Sequence, residues 1–397
     1  MLRGGDRLAV RFYLSAESPP HGTFSAPDLG AIDVPLRHVR LGDRVHWELV
    51  GNTSTTIFDG NVDGDTTTGT FSENGSTGTF TLRRSTSLSA PYVKRDVIFH
   101  NGAVRLAGTL YLPRSTGRHP AIIFVHGSGD EGRWGAAYLA DYVARHGIIG
   151  LAYDKRGVGA STGNWRASTM DDLAADARAG INLLAQTSGV DRHRIGIYGH
   201  SQGGEIAPAI ADHNRLVGFV IDADGPIGPQ YLQDIFRVDN ILAQRYSGTE
   251  LADGERLYRE FVDVARSGSP HTQLRADIGA AGKAPWLADL AIPDDDNWIW
   301  AWYERYGNYD NRAAWSNVRV PVLILFGGKD ALVPVRSSIA QTIAILKRHR
   351  NSPVNVRIFE DADHTLHVPP RSEAGWPHLP AGFPGVVTNF ISSLHTT

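Results

Sequence analysis

Ser201 lies in Gly199-His200-Ser201-Gln202-Gly203, a G-x-S-x-G pattern. An apolar, β-branched run (Arg194 to Tyr198) precedes it, and small, helix-compatible residues (Glu205 to Ala211) follow. That order predicts a strand, a very tight turn and a helix, with the serine at the apex. Gly199 and Gly203 allow strand and helix to approach closely, and the helix aims backbone N–H groups at any developing anion. A serine hydroxyl is a weak nucleophile at neutral pH until an oriented base takes its proton. Two further strand ends supply the partners. Phe326-Gly327-Gly328-Lys329-Asp330 puts Asp330 in a Gly-rich turn, and Phe359-Glu360-Asp361-Ala362-Asp363-His364 puts His364 in the loop beyond the next strand. His367 is the nearest alternative base, and Asp222 and Asp224, ending an earlier strand, are alternative acids. The backbone amides of Ser128, in His126-Gly127-Ser128-Gly129, and of Gln202 are expected to hold the oxyanion. These residue types suit acyl transfer through a serine ester.

Other polar residues near the strand ends read as structural. His126 is expected to brace its loop, and His200 to point away from the serine. Asp154 and Arg156, in Tyr153-Asp154-Lys155-Arg156-Gly157, read as a buried ion pair or turn. That stretch lacks the spacing of a phosphate-binding loop, and the chain has no H-E-x-x-H, EF-hand or paired-histidine spacing. No cofactor and no metal are expected.

The elements that must position these residues fall into two grammars. Residues 1–88 read as all-β, with short alternating runs separated by Gly, Asn, Asp, Ser and Thr, and Asn74-Gly75 marks a hairpin. A small barrel or sandwich of about seven strands is expected. Residues 89–397 begin with two runs (Tyr92 to Phe99 and Val104 to Leu112) that form a hairpin. Nearly continuous apolar runs then alternate with helical segments: Ala121 to Val125, Ile148 to Tyr153, Arg194 to Tyr198, Leu216 to Ile221, Val322 to Phe326 and Val354 to Phe359. Strands apolar on both faces belong to a parallel sheet between helices. The fold class is therefore α/β, an eight-stranded, mostly parallel sheet with its site at the carboxyl ends of the strands. Leu173, Ala177, Ile181 and Leu184 repeat at helical spacing behind Thr169, an N-cap. A segment of about residues 226–318 is too long for a crossover and reads as a helical cap insertion. Its aromatics, from Trp298 to Tyr309, are expected mainly to pack the cap onto the main domain.

Composition narrows the classes further. The chain has 397 residues, 42% hydrophobic and 20% charged, an ordinary globular balance for one large and one small domain. A formal net charge of −3 offers no electrostatic case for nucleic acid or an anionic membrane surface. With no cysteine, disulfides, thiolate metal sites and a cysteine nucleophile are excluded. The first residues, Met1 to Arg7, carry no apolar signal region, and no run reaches bilayer length, so a cytoplasmic, membrane-free protein is expected.

Together, His126-Gly127-Ser128-Gly129, Asp154-Lys155-Arg156-Gly157, Gly199 to Gly204, Gly327 to Pro334 and Ala362-Asp363-His364 resemble the α/β-hydrolase superfamily of serine esterases. More narrowly, the chain is similar to bacterial carboxylesterases that carry a small N-terminal β-domain. The resemblance implies the triad order Ser201, Asp330, His364 and hydrolysis of short-chain carboxylic esters, small-molecule substrates, through an acyl-enzyme. It leaves thioesterases and prolyl-oligopeptidase-like peptidases as alternatives, although ninety N-terminal residues cannot build those peptidases' propeller. A non-enzymatic binding module is the remaining rival. Self-association, if present, is expected through the β-domain.

Overall fold

The structure, a computed structural model, describes residues 1–51, 54–85, 90–348, 353–370 and 375–394. The expected domain boundary at residues 88 and 89 lies outside the described residues. Residues 2–83 form one nine-stranded antiparallel sheet, with two strands more than the seven expected of a small barrel or sandwich. The sheet curls until Phe12 of its last strand packs on Trp47 and Phe58 from the middle, with ring centroids 5.1 and 5.3 Å apart. The extra strands escape a reading based on apolar alternation. Leu2–Arg3 and Asp6–Arg7 are two residues each, and Thr66–Glu73 is rich in threonine and glycine. Asn74-Gly75 does turn the hairpin, pairing Glu73 with Ser76, and both turn residues have positive φ.

The second sheet carries β1 (Tyr92–Asn101), β2 (Val104–Pro113), β3 (His119–Val125), β4 (Ile149–Tyr153), β5 (Val190–His200), β6 (Val217–Ala223), β7 (Val322–Gly327) and β8 (Val354–Phe359). Its spatial order is β1-β2-β4-β3-β5-β6-β7-β8. The pairs β1–β2 and β2–β4 are antiparallel, and all others are parallel. The apolar runs are continuous because both faces are covered. In β3, Ala121, Ile123 and Val125 face one core cluster, and Ile122 and Phe124 the other. The crossover helices α1 (Ala137–Arg145), α2 (Met170–Gln186) and α3 (Gln202–Ala211) supply part of that cover. Helix α2 starts at Thr169 with a reciprocal capping box to Asp172, and Leu173, Ala177, Ile181 and Leu184 are all buried.

Between β6 and β7, six helices from Gln230 to Asn317 leave the sheet: α4 (Gln230–Ala243), α5 (Gly248–Ser267), α6 (Thr272–Ala281), α7 (Leu287–Leu290), α8 (Trp298–Tyr306) and α9 (Arg312–Asn317). They have an apolar core of their own, including Leu242, Leu257, Phe261, Trp300 and Tyr303. Helices α10 (Val335–Arg348) and α11 (Phe383–Ser393) close the two faces of the sheet. The N-terminal sheet docks through the segment after β8. The Leu379 N–H donates to the Asp28 carbonyl at 3.1 Å, and Trp376 packs at a tilt against Phe71 and carries the Arg3 guanidinium over its ring. No helix among the described residues is long and apolar enough to cross a membrane.

One buried acid at the end of β6 makes stability depend on pH. Asp222 is 2% exposed, and burial pushes its carboxyl up to about 8. In the unfolded chain it titrates near 4. Between those values the folded state holds the extra proton, so stability falls as pH rises through the window. Asp222→Asn cannot ionise and is expected to flatten the urea-midpoint profile between pH 5 and pH 8. Parallel profiles for the two proteins would show that the group does not act this way.

Candidate active site

At the carboxyl ends of β5, β7 and β8 the chain brings Ser201, Asp330 and His364 together. His364 Nε2 lies 2.9 Å from Ser201 Oγ, and His364 Nδ1 lies 2.7 Å from Asp330 Oδ2. The carboxylate fixes the imidazole with its proton on Nδ1, which leaves the Nε2 lone pair facing the hydroxyl. The other oxygen of Asp330 accepts the backbone N–H groups of Leu332 at 2.7 Å and Val333 at 2.9 Å. The acid is therefore immobilised by its own turn. Asp330 and His364 are each less than a tenth exposed.

Ser201 has φ 53° and ψ −117°, a conformation that side-chain-bearing residues rarely adopt. The turn closes only because its neighbours lack side chains. A Cβ on Gly199 would sit 2.2 Å from the Gly203 carbonyl oxygen, and one on Gly203 would sit 2.3 Å from that of Val125. The Ser201 N–H donates to the Ala223 carbonyl at 2.9 Å, which ties the turn to β6. Ser128 and Gln202, the expected oxyanion donors, line one cavity of about 310 Å³ with Ser201 and His364. The N–H of Gly127 is engaged instead, donating to Glu131 Oε2 at 2.9 Å.

The alternative residues make other hydrogen bonds. Asp224 Oδ1 accepts the Gly327 N–H at 2.8 Å, and burial raises its carboxyl well above the usual range. Asp222 is equally enclosed. His367 directs its ring nitrogens at the carbonyl oxygens of Thr365 and Leu29, away from the serine. His126 donates to the Tyr153 carbonyl, and His200 Nε2 contacts the His364 carbonyl oxygen at 3.0 Å. Burial depresses the basicity of both imidazoles. Among the described residues, Asp224, Asp330 and His364 form the one grouping with metal-ligand spacing, their donor atoms lying within 4.8 Å of one another. Both nitrogens of His364 and both oxygens of Asp330 are already engaged in the hydrogen bonds above.

Asp154 and Arg156 do not pair with each other. Asp154 binds Arg133 at 2.9 Å and Arg156 binds Asp176 at 2.6 Å. The residue between them matters more to the site. Lys155 Nζ donates to the Gly127 carbonyl at 2.7 Å and to Gln202 Oε1 at 2.8 Å, with its charge over the Trp165 ring. It thereby clamps the two loops that carry the Ser128 and Gln202 amides, and burial lowers its pKa to about 8. Of the aromatics, Trp300 and Tyr303 pack within the helical insertion, whereas Trp302 and Tyr306 reach the cavity.

A strand–serine–helix turn on an eight-stranded sheet, with the histidine after the last strand, defines a class. A model of the alpha/beta hydrolase family matches residues 122–374, and the chain belongs to that family. It is 24% identical over 277 residues to Esterase EstD of Thermotoga maritima, covering 66% of this chain and 58% of that protein. It is 34% identical over 245 residues to the uncharacterized protein Rv2307c of Mycobacterium tuberculosis, covering 62% of this chain and 64% of that one. The chain thus spans less than two thirds of the length of these relatives. The crystal structure of the hypothetical protein PA2218 from Pseudomonas aeruginosa shares the fold, with a TM-score of 0.51 at 20% identity over 77% of this chain and 95% of that one.

The closeness of the turn can be tested directly. Gly203→Ala forces its methyl against the Val125 and His126 carbonyls, at 2.3 and 2.8 Å. A loss of about 3 kcal/mol is expected from such overpacking against backbone, read as a lower urea midpoint. Wild-type stability in the variant would mean the turn has slack that the geometry denies.

Proposed function

We propose that this chain is a serine hydrolase of carboxylic esters that works through an acyl-enzyme on Ser201. The observation that carries the reading is the unbroken hydrogen-bonded line from Ser201 Oγ through His364 to Asp330. His364 takes the hydroxyl proton as Ser201 attacks the ester carbonyl, and Asp330 steadies the imidazolium that results. The tetrahedral oxyanion rests on the N–H groups of Ser128 and Gln202. With the Gly127 N–H held by Glu131, Ser128 is the next donor along that loop. His364 then protonates the leaving alcohol. Water repeats the sequence to release the acid and restore the serine.

Three further features support the reading. Membership of the α/β-hydrolase family supports hydrolysis, and EstD, one relative, carries the name esterase. The cavity of about 310 Å³ favours short acyl groups. The insertion between β6 and β7, acting as a cap, confines that cavity through Trp302 and Tyr306. Lys155 serves as a positioning residue, since its two hydrogen bonds hold the oxyanion donors in register.

Hydrolysis of p-nitrophenyl acetate, butyrate and octanoate, beside aminoacyl p-nitroanilides, tests the reaction class and the acid together. Activity is expected to peak at the short esters and to vanish in Ser201→Ala. Asp330→Asn is expected to lower kcat by about 10⁴-fold by favouring the wrong imidazole tautomer. Asp224→Asn is expected to change kcat little, because an amide oxygen can still accept the Gly327 N–H. Preferential cleavage of the anilides would make the protein a peptidase, and the reverse ranking of the two aspartates would make Asp224 the acid.

A further inference from the structure

The cavity beside Ser201 is built for more than a plain alkyl chain. Three side chains that line it, Gln202, Glu205 and Gln230, are 3%, 1% and 4% exposed. Each keeps one polar atom with no hydrogen-bond partner among the described residues: Gln202 Nε2, Glu205 Oε1 and Gln230 Oε1. Buried polar atoms are normally paired, and leaving one unpaired is costly. Three in one cavity, next to a candidate nucleophile, form a prepared set.

Charged neighbours settle which atom each amide presents. Gln202 Oε1 accepts from the Lys155 ammonium at 2.8 Å, so its NH₂ group is the free end. Gln230 Nε2 donates to Asp234 Oδ2 at 3.0 Å and to Gln233 Oε1 at 3.3 Å, so its carbonyl is the free end. Glu205 Oε2 accepts the Tyr306 hydroxyl, which leaves Oε1. The cavity therefore offers at least one donor and one acceptor to the same occupant.

The charged side chains that line the cavity, Glu131, Asp234 and Arg237, are each held by a partner within the protein, and none of them calls for an ionic occupant. Arg237, which also lines the cavity, is held against Asp234 (Nε to Oδ1 3.6 Å) and donates to the Tyr258 hydroxyl. Burial pushes the Glu205 carboxyl up to about 8, so it is neutral near pH 7. A hydroxyl is a small neutral group that can both donate, as the Gln230 carbonyl requires, and accept, as the Gln202 amide requires. Glu205 stands four residues beyond Ser201 on α3, roughly 6 Å along the helix at 1.5 Å per residue.

We propose that Gln202, Glu205 and Gln230 form a hydroxyl-recognition subsite, and that the favoured substrate is a short, neutral, hydroxylated ester. The inference rests on the reading of Ser201 as an ester-cleaving nucleophile. The ester bond broken is the same as for a plain ester, and the hydroxyl takes no part in the chemistry. The polar lining refines the expectation of a simple short acyl chain: size admits it, but polarity selects among candidates of that size.

The test uses two matched pairs. p-Nitrophenyl 3-hydroxybutyrate against p-nitrophenyl butyrate places the hydroxyl on the acyl side, and glycerol monobutyrate against propyl butyrate places it on the alcohol side. A preference of about 10- to 100-fold in kcat/KM for the hydroxylated member of one pair is expected, the value of pairing a buried polar group. The pair that shows it identifies the side. Gln230→Leu is expected to bring that ratio towards one. Equal rates within both pairs, with the plain esters turned over, would overturn the subsite while leaving ester hydrolysis intact. A preference that survives unchanged in Gln230→Leu would overturn it as well. Hydrolysis of none of the four esters would overturn the catalytic reading, and the subsite with it. The wild-type ratios need no variant to fold.

Discussion

The close approach of backbone at Ser201 is the constraint on which the rest of the structure depends. Strand β5 must stop, reverse into φ 53° for one residue, and continue as α3 with no intervening loop. The strain is tolerable only because Gly199 and Gly203 let carbonyl oxygens come where side chains would otherwise be. The same approach brings the end of β3 against the turn, so Gly127 and Ser128 and the first turn of α3 face one cavity. Parallel pairing of β5 with β3 and β6 then carries the geometry across the sheet. The loops after β7 and β8 arrive beside the serine because their strands are paired in register with that scaffold.

A second constraint is the cost of burying polar groups, and the chain meets it in two ways. Where a charge is retained, it is paired: Arg156 with Asp176, Asp154 with Arg133. Where pairing is lacking, the group is held neutral. Burial raises Asp222, Asp224 and Glu205 out of the ordinary carboxyl range. Asp224 lies beside Asp330 and His364, yet it engages a backbone N–H instead of the imidazole. Two like charges at that separation would oppose each other in a low-dielectric interior, and neutrality of one removes the conflict. Lys155 is the intermediate case, a desolvated ammonium held by two oxygens and an aromatic face.

The candidate site was legible in the sequence where its geometry is local. Ser201 is announced by glycines two residues away on each side, and Asp330 and His364 each follow a strand visible as an apolar run. Their meeting needed only the parallel order of the sheet. Lys155, Gln230 and the pairing of Glu205 with Tyr306 were not legible, because their partners lie 28, 47, 4, and 101 residues away and no periodicity encodes such contacts. Even the four-residue case is hidden, since Gln230 on α4 matters through its unpaired oxygen. The N-terminal sheet was read as the right class with too few strands. Threonine-rich, half-exposed strands such as Thr66–Glu73 lack the apolar alternation that marks a strand with a buried face.

The account stands or falls on Ser201 as the nucleophile. Incubation with a fluorophosphonate followed by peptide mass spectrometry tests that claim without presupposing a substrate. A single adduct on Ser201, formed quickly in the folded protein and not formed in protein denatured in urea beforehand or in His364→Ala, is the predicted result. An adduct on another residue, or none at all in the folded protein, would contradict the account.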